Sequence, residues 1–390
     1  MSRRFVPHLA PTQVVPRRGT NLPSKSISPV PSIIRYSTSV KSTTNTKHHY
    51  TMASNTAAWI TAAKSKPFEV KDAPLWTPAE NEILVKNHAV AINPVDGGLQ
   101  SLAFMPLNYP TILGSDVAGE VVAVGPEVTR FKQGARVVGH AVGIGTKQNQ
   151  HNAFQAYTIL QTNMASEIPD SISFESAAVI PLGCSTAACG LFQDTNLGLQ
   201  FPTQPPQKPT GKTVLIWGGA SSVGSNAIQL AVAAGYEVVT TASPKNFEYV
   251  KKLGASEVFD YKDPSVGDSL LSCFKAKTIA GALDCIGFDA WTICMDVVHK
   301  SKGTKIVSTT KRGWPEPPEG VTVKHIFGTT LKDNEVGKAV YEDFLPKALK
   351  AGTFVPAPEP LIAGKGLESV QGAVDLRSKG VSAAKVVVTL

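Results

Sequence analysis

Seven consecutive residues, Gly218-Gly219-Ala220-Ser221-Ser222-Val223-Gly224, carry the most specific chemistry in this sequence. They stand between an apolar run, Thr213–Trp217, and a stretch with small and apolar residues at helical spacing, Val223–Ala234, closed by Gly235. Strand, glycine-rich turn and helix in that order form the setting in which a backbone cradles a pyrophosphate. Gly218 and Gly219 allow the tight turn. Ala220, Ser221 and Ser222 are small enough for the backbone to approach an anion at the helix N-terminus, where free N–H groups and the helix dipole favour negative charge. Gly224 lets helix and strand pack closely. Ser221 replaces the central glycine of G-x-G-x-x-G, and its hydroxyl can donate to a phosphate. The bland alternative is a glycine-rich turn with no ligand.

The next strand discriminates between cofactors. An enzyme using NAD places Asp or Glu about 20 residues on, to bind the ribose hydroxyls. Here that strand ends Thr240-Thr241-Ala242-Ser243-Pro244-Lys245-Asn246, without an acid. Ser243 can donate a hydrogen bond to a 2′-phosphate and Lys245 can supply a point charge. Tyr261, at the end of the following strand, can add a hydroxyl. These residues favour NADPH. A solvated turn with an incidental lysine is the competing reading.

The surrounding pattern places this turn in a larger frame. From Ala53 to about Phe174, short runs such as Glu82–Lys86 and Glu120–Val124 alternate or run apolar between Gly114, Gly119, Gly125, Gly134 and Gly139. This predicts a mostly antiparallel β domain. Glu175–Phe192 is helical in composition. Gln200–Thr213 holds Pro202, Pro205, Pro206 and Pro209 and predicts an exposed connector. After it, strands Glu237–Thr241, Glu257–Phe259, Ala282–Cys285 and Lys305–Ser308 alternate with helices such as Phe247–Leu253, the rhythm of a doubly wound parallel sheet. The tail Lys385–Thr389 predicts a strand returning to the first domain.

The chain has 390 residues, 42% of them hydrophobic and 17% charged, which suits two to three globular domains. Apolar stretches such as Asn226–Ala234 are too short and too polar to span a bilayer. The net charge of +8 belongs to residues 1–52, where Arg3, Arg4, Arg17, Arg18, Lys25, Arg35, Lys41 and Lys47 occur with no acid. The body is balanced, so no nucleic-acid or membrane partner is expected. Cys184, Cys189, Cys273, Cys285 and Cys294 form no C-x-x-C pair and no disulfide framework.

Residues 1–52 have the Ser-, Pro- and Arg-rich, acid-free composition of a mitochondrial transit peptide. Ile34–Ser39 looks like a matrix-protease context. Against that, six prolines between Pro7 and Pro31 break any long amphipathic helix. Met52 also has a favourable initiation context, set by the codons of Thr51 and Ala53. Cytoplasmic and matrix locations both remain open. Under either, the segment is expected to be disordered.

Taken together, Ala91-Ile92-Asn93-Pro94-Val95-Asp96, Tyr109–Val121 and the cofactor turn resemble the medium-chain dehydrogenase/reductase superfamily over residues 53–390. Within it, the Pro-rich connector and Ser243-Pro244-Lys245-Asn246 are similar to the fungal trans-acting enoyl reductases and their zinc-free, quinone-reductase-like relatives. The resemblance implies an α/β fold: a GroES-like β-rich catalytic domain, residues 53–175 and 329–390, with an inserted Rossmann doubly wound parallel sheet, residues 176–328. It implies an active site in the cleft between them. Thr186 would sit beside the nicotinamide, and Asn93, Pro94, Val95 and Asp96 would line the other wall. Cys285-Ile286-Gly287 and Val381-Ser382 would contact the cofactor from loops. For a trans-acting member, the substrate would be a small or carrier-bound unsaturated compound and a polyketide synthase would be the partner.

Zinc-dependent members need a Cys near Pro94 and a His near Ser115, and neither is present. The stretch 125–183 lacks the cysteines of a structural zinc lobe. His140 and His151 lack a third ligand and read as surface residues, so no metal is expected. Without a Lewis acid, conjugate reduction is favoured over carbonyl reduction, because charge then develops on an oxygen that hydrogen-bond donors can stabilise. Relatives often carry a Lys soon after the Asn-Pro-Val-Asp motif. Here Gly97 and Gly98 follow, which removes one candidate proton donor for the α-carbon. Tyr109 or water is the substitute, and packing is the alternative role for Tyr109. Quinone reduction, or NADPH binding without catalysis, are the competing functions.

Overall fold

The computed structural model describes residues 54–390. The expectations for residues 1–52 lie outside the described residues.

Eight strands precede the Pro-rich connector: β1 (Asn55–Ile60), β2 (Glu69–Ala73), β3 (Glu82–Ala91), β4 (Thr111–Ile112), β5 (Asp116–Val124), β6 (Arg136–His140), β7 (Tyr157–Gln161) and β8 (Ala165–Glu167). Six follow in parallel: β9 (Thr213–Trp217), β10 (Glu237–Ala242), β11 (Glu257–Asp260), β12 (Ile279–Asp284), β13 (Ile306–Thr309) and β14 (Thr322–His325). Two more close the chain, β15 (Glu359–Lys365) and β16 (Ala384–Thr389).

The parallel sheet has the order β11-β10-β9-β12-β13-β14. The chain winds outward from β9 in one direction, then returns and winds outward from β12 in the other. The strand order therefore reverses between β9 and β12, and ligands of such sheets bind at that switch point, beyond the carboxyl ends of the strands. The N-terminal strands form a seven-stranded sheet, β15-β16-β3-β5-β6-β8 with β7 also on β3, and a small sheet β2-β1-β4. β16 pairs antiparallel with β3, Val388 opposite Val90, so the chain's end returns to the first domain as the tail pattern predicts.

The helices that matter for the site are α1 (Pro94–Leu102), α2 (Gly143–Thr146), α3 (Phe174–Ala177), α4 (Pro181–Phe192) and α5 (Ser222–Ala233). The apolar stretch 175–192 is two helices, not one. Pro181 cannot donate to the preceding turn, so α4 restarts with proline at its first position. Ten of the twelve residues of α4 are buried, and a largely buried helix needs no amphipathic stripe.

The Pro-rich connector does more than run over the surface. Thr203 and Gln207 N–H groups donate to Ala233 O, Thr210 N–H donates to Gly235 O, and Gln200 Nε2 donates to Ala234 O. These satisfy the carbonyls that the end of α5 leaves open.

Candidate active site

The cofactor turn leaves β9 and enters α5. Gly218 has φ +85, a region favouring glycine. Gly218 N–H donates to Thr241 Oγ1 (3.0 Å), which ties the turn to β10. Ser221 is the N-cap of α5, and its hydroxyl oxygen accepts from Gly224 N–H at 3.0 Å. The Ser221 oxygen thus shapes the turn, and its hydroxyl proton is left to donate. The neighbouring Ser222 Oγ is buried and, among the described residues, without a hydrogen-bond partner. It is the free hydroxyl at this helix end. A Cβ on Gly224 would lie 2.2 Å from Gly218 O, so the turn closes directly onto the helix. The tight glycines, the helix N-terminus and the orphaned hydroxyl fit a dinucleotide pyrophosphate.

Across the switch point, Asp284 stands opposite Trp217. It is fully buried, and burial pushes its carboxyl up while its hydrogen bonds pull it down. Its Oδ1 accepts from Ile286 N–H (2.9 Å) and Gly287 N–H (3.0 Å), and its Oδ2 from Thr309 Oγ1 (2.8 Å). Trp291 Nε1 donates to the same threonine at 3.0 Å. This network holds the loop Cys285–Phe288 over the turn. The loop is strained at Phe288 (φ +61). Ile286 lies where a Cβ on Gly218 would come within 2.6 Å. Burial pushes the Cys285 thiol well up, so it stays protonated.

At the end of β10, Asn246 Nδ2 donates to Ser243 Oγ (3.2 Å) and Ser382 Oγ (3.3 Å). Two predicted sites 136 residues apart thus meet. Pro244 and Lys245 are exposed beside them, as is Val381, and Tyr261 is 44% exposed at the end of β11, the strand adjoining β10.

Thr186 is half-buried on α4, one turn beyond Leu182. Gly328 faces it, since a Cβ there would be 3.0 Å from Thr186 Oγ1. Gly183, three residues before Thr186, lets α4 press against α5, because a Cβ there would be 2.7 Å from Ser222 Oγ.

On the opposite wall, Pro94 is exposed and Val95 half-buried, whereas Asn93 and Asp96 are buried. Asp96 Oδ2 accepts from Asn93 N–H (2.7 Å) and so caps α1. Burial raises its pKa to about 7. Asn93 Nδ2 donates to Asp116 Oδ2 at 2.7 Å. Lys385 Nζ, only 4% exposed, lies 2.5 Å from Asn93 Oδ1 and 2.8 Å from Asp116 Oδ2. Lys385 belongs to none of the sequence motifs. Its signal was a lysine in an otherwise apolar strand, which when buried needs a partner.

Gly98 lies under the exposed Phe104 side chain. A Cβ there would be 2.9 Å from the edge of the Phe104 ring, which would have to turn aside for a longer side chain. Tyr109 packs, partly buried, against the first domain's core.

Both histidines depart from the surface expectation. His151 is 3% exposed, with Nδ1 3.0 Å from Thr146 Oγ1 and Nε2 2.8 Å from Glu82 Oε1. His140 is fully buried, with Nδ1 2.9 Å from Ser185 Oγ. Ser185 Oγ lies 2.7 Å from Tyr341 OH, which donates to Pro181 O at 2.9 Å. Tyr341 spends its proton on that carbonyl, so Ser185 donates to Tyr341 and His140 Nδ1–H donates to Ser185. Nε2 is then a bare lone pair, buried without a partner among the described residues.

Two family models match the chain: an alcohol dehydrogenase GroES-like domain over residues 79–170 and a zinc-binding dehydrogenase domain over residues 222–337. A zinc-binding alcohol dehydrogenase domain-containing protein, cipB, of Emericella nidulans is 65% identical over 336 residues, covering 86% of this chain and 98% of that protein. The chain belongs to the medium-chain dehydrogenase/reductase superfamily. Also similar are the trans-enoyl reductase himH of Aspergillus japonicus, at 42% identity over 86% of this chain and 97% of that one, and the solved quinone oxidoreductase of Pseudomonas syringae, at 25% identity with a TM-score of 0.64 over 86% of this chain and 100% of that one. The protein is therefore an oxidoreductase of a superfamily whose fold binds NAD(P).

The zinc in the second domain's name does not fit this donor set. Among the described residues, no three His, Cys, Asp or Glu side chains converge as metal ligands. His140 offers a single free nitrogen with no second or third ligand beside it, and Ser115 stands where zinc-dependent members of the superfamily need histidine.

Proposed function

We propose that this medium-chain reductase uses NADPH to reduce an activated C=C bond, in an enone or an enoyl thioester, without zinc. One observation carries the cofactor preference. The end of β10 bears no acid, and it gathers Ser243, Asn246 and Ser382 beside the exposed Lys245. Hydroxyl and amide donors next to a cation suit a 2′-phosphate, and a carboxylate would repel it. Ser222 and the turn around Gly218–Gly224 would hold the pyrophosphate.

Bound in this way, the dinucleotide supplies a hydride at the cleft. The chain's own residues orient and shield. Thr186, which Gly328 faces, would hold the nicotinamide, and the loop tied down by Asp284 would cover the cofactor turn. Carbonyl-oxygen charge is met by hydrogen-bond donors, since the donor set offers no site for a Lewis acid. Gly98, covered by Phe104, contributes no proton donor, so water protonates the α-carbon. The relative named a trans-enoyl reductase supports this reading. It also makes a carrier-bound substrate, and a polyketide synthase as partner, the natural proposals. Quinone reduction at the same site is the second reading, supported by the similarity to the solved quinone oxidoreductase.

The test is a panel of enones, enoyl thioesters and quinones with NADPH deuterated at C4. The proposal expects deuterium at the β-carbon, and α-deuterium from D₂O with poor facial selectivity. Label at a carbonyl carbon, giving an alcohol, would refute it. Turnover of quinones alone would favour the second reading.

A further inference from the structure

Lysine is rarely buried without a reason, and Lys385 is buried beside the proposed cleft without lining it. Its ammonium closes a triangle with Asn93 and Asp116. Nζ bonds Asn93 Oδ1 (2.5 Å) and Asp116 Oδ2 (2.8 Å), and Asn93 Nδ2 bonds the same carboxylate oxygen (2.7 Å). The other oxygen, Asp116 Oδ1, accepts from Leu182 N–H at 2.6 Å. That N–H lies in the first turn of α4, where backbone donors lack intrahelical partners and a carboxylate is favoured by the dipole. The carboxylate therefore caps α4 from a strand of the other domain. Thr186 lies one turn further along the same face. Gly183, three residues before Thr186, brings α4 against Ser222 of the cofactor turn. The start of α4 is thus held between Asp116 and α5.

The same C-terminal segment acts a second time. Ser382, three residues before Lys385, accepts from Asn246 at the end of β10. One short stretch of chain touches both the proposed 2′-phosphate cluster and the anchor of the helix that carries Thr186.

We propose that Lys385 is a positioning residue for hydride transfer: it holds the Asp116 carboxylate in place, so that α4 and Thr186 present the nicotinamide at one depth and one face. This rests on the reading of the groove as a dinucleotide site. Removing the ammonium takes a buried partner from Asp116, and the Leu182 anchor loosens. A displacement of about 1 Å between reacting groups lowers the rate ~10²-fold.

The test compares wild type with Lys385→Met, Lys385→Arg and the double variant Lys385→Met/Asp116→Leu. The double variant removes the buried charge along with the anchor, so it folds where the single variant carries an unpaired carboxylate. Three readouts are taken: NADPH affinity with the anisotropy of bound NADPH fluorescence, kcat and KM on an accepted enone, and the face of C4 from which deuterium is transferred. In Lys385→Met and the double variant we expect affinity within about threefold of wild type, lower anisotropy, kcat down ~10²-fold with KM little changed, and label leaking from the second face. Lys385→Arg restores most of kcat. Folded variants with wild-type kcat, anisotropy and facial fidelity would overturn the proposal. So would a loss confined to NADPH affinity, which would make Lys385 a cofactor ligand. If wild type binds NADPH but reduces no acceptor, the proposed reaction is wrong, and the anisotropy still decides the role of Lys385. A wild type that bound neither NADPH nor NADH would overturn the groove's reading, and this proposal with it.

Discussion

Replacing Gly224 by alanine tests the cofactor turn most directly. A Cβ at this position would sit 2.2 Å from Gly218 O, 2.7 Å from Gly219 Cα and 2.9 Å from Gly218 C. All three are backbone atoms of the turn itself, so no side-chain rotation relieves the overlap. The oxygen contact must open by about 1 Å to reach an ordinary separation. Overpacking of this kind costs about 1–3 kcal/mol, offset by about 1 kcal/mol from the better helix propensity of alanine. Net destabilisation is then modest, about 0–2 kcal/mol. The larger effect falls on binding. Opening the turn carries the Gly218 backbone, the Ser221 cap and the Ser222 hydroxyl away from the anion position. A loss of ~1.4 kcal/mol is tenfold in Kd, and several donors move together, so NADPH affinity should fall at least about tenfold. Fluorescence titration of NADPH, with a thermal scan alongside, measures both quantities. Gly372→Ala is the control: it lies in the helix Val370–Ser378 and a Cβ there meets nothing within 4 Å. It should stabilise slightly and leave binding alone. Unchanged NADPH affinity in a folded Gly224→Ala protein would refute the assignment of this turn.

Three further outcomes are expected. Wild type should bind NADPH at least about tenfold more tightly than NADH, and Lys245→Ala should erase most of that difference by weakening NADPH alone; equal wild-type affinities would count against the β10 cluster. Thr186→Ala should lower kcat ~10²-fold with a smaller change in NADPH affinity, measured by steady-state kinetics and titration. His140 should make the fold acid-sensitive. Burial lowers its folded pKa to about 4 from the usual 6.5, so between those values the unfolded chain binds a proton that the folded protein refuses. The contribution of His140 to stability is full above about pH 6.5 and falls as pH drops toward 4. Thermal scans across that window should show His140→Gln with a flatter pH dependence than wild type.

Much of this protein is legible in its residues because the interactions that decide it are local. The turn Gly218–Gly224 announces itself through adjacent glycines between a strand and a helix. The alternation of short apolar runs with helical spacing after Thr213 specifies a parallel sheet, since each period is set by backbone geometry within a few residues. The absence of an acid after β10 and of zinc ligands near Pro94 and Ser115 is a matter of residue identity alone. The tertiary structure decided what depends on which way a side chain turns and what meets it from far along the chain. Ser221 and Ser222 are chemically alike and adjacent; helix geometry alone makes one a cap and leaves the other free. His140 and His151 read as surface residues until sheet packing buried them. Gly98 stands where relatives often carry lysine, and only the fold lays the Phe104 ring against it. Lys385 and Asn93 are 292 residues apart, and no local pattern encodes their contact. It exists because β16 pairs back onto β3, bringing a buried ammonium to the one carboxylate that also caps α4.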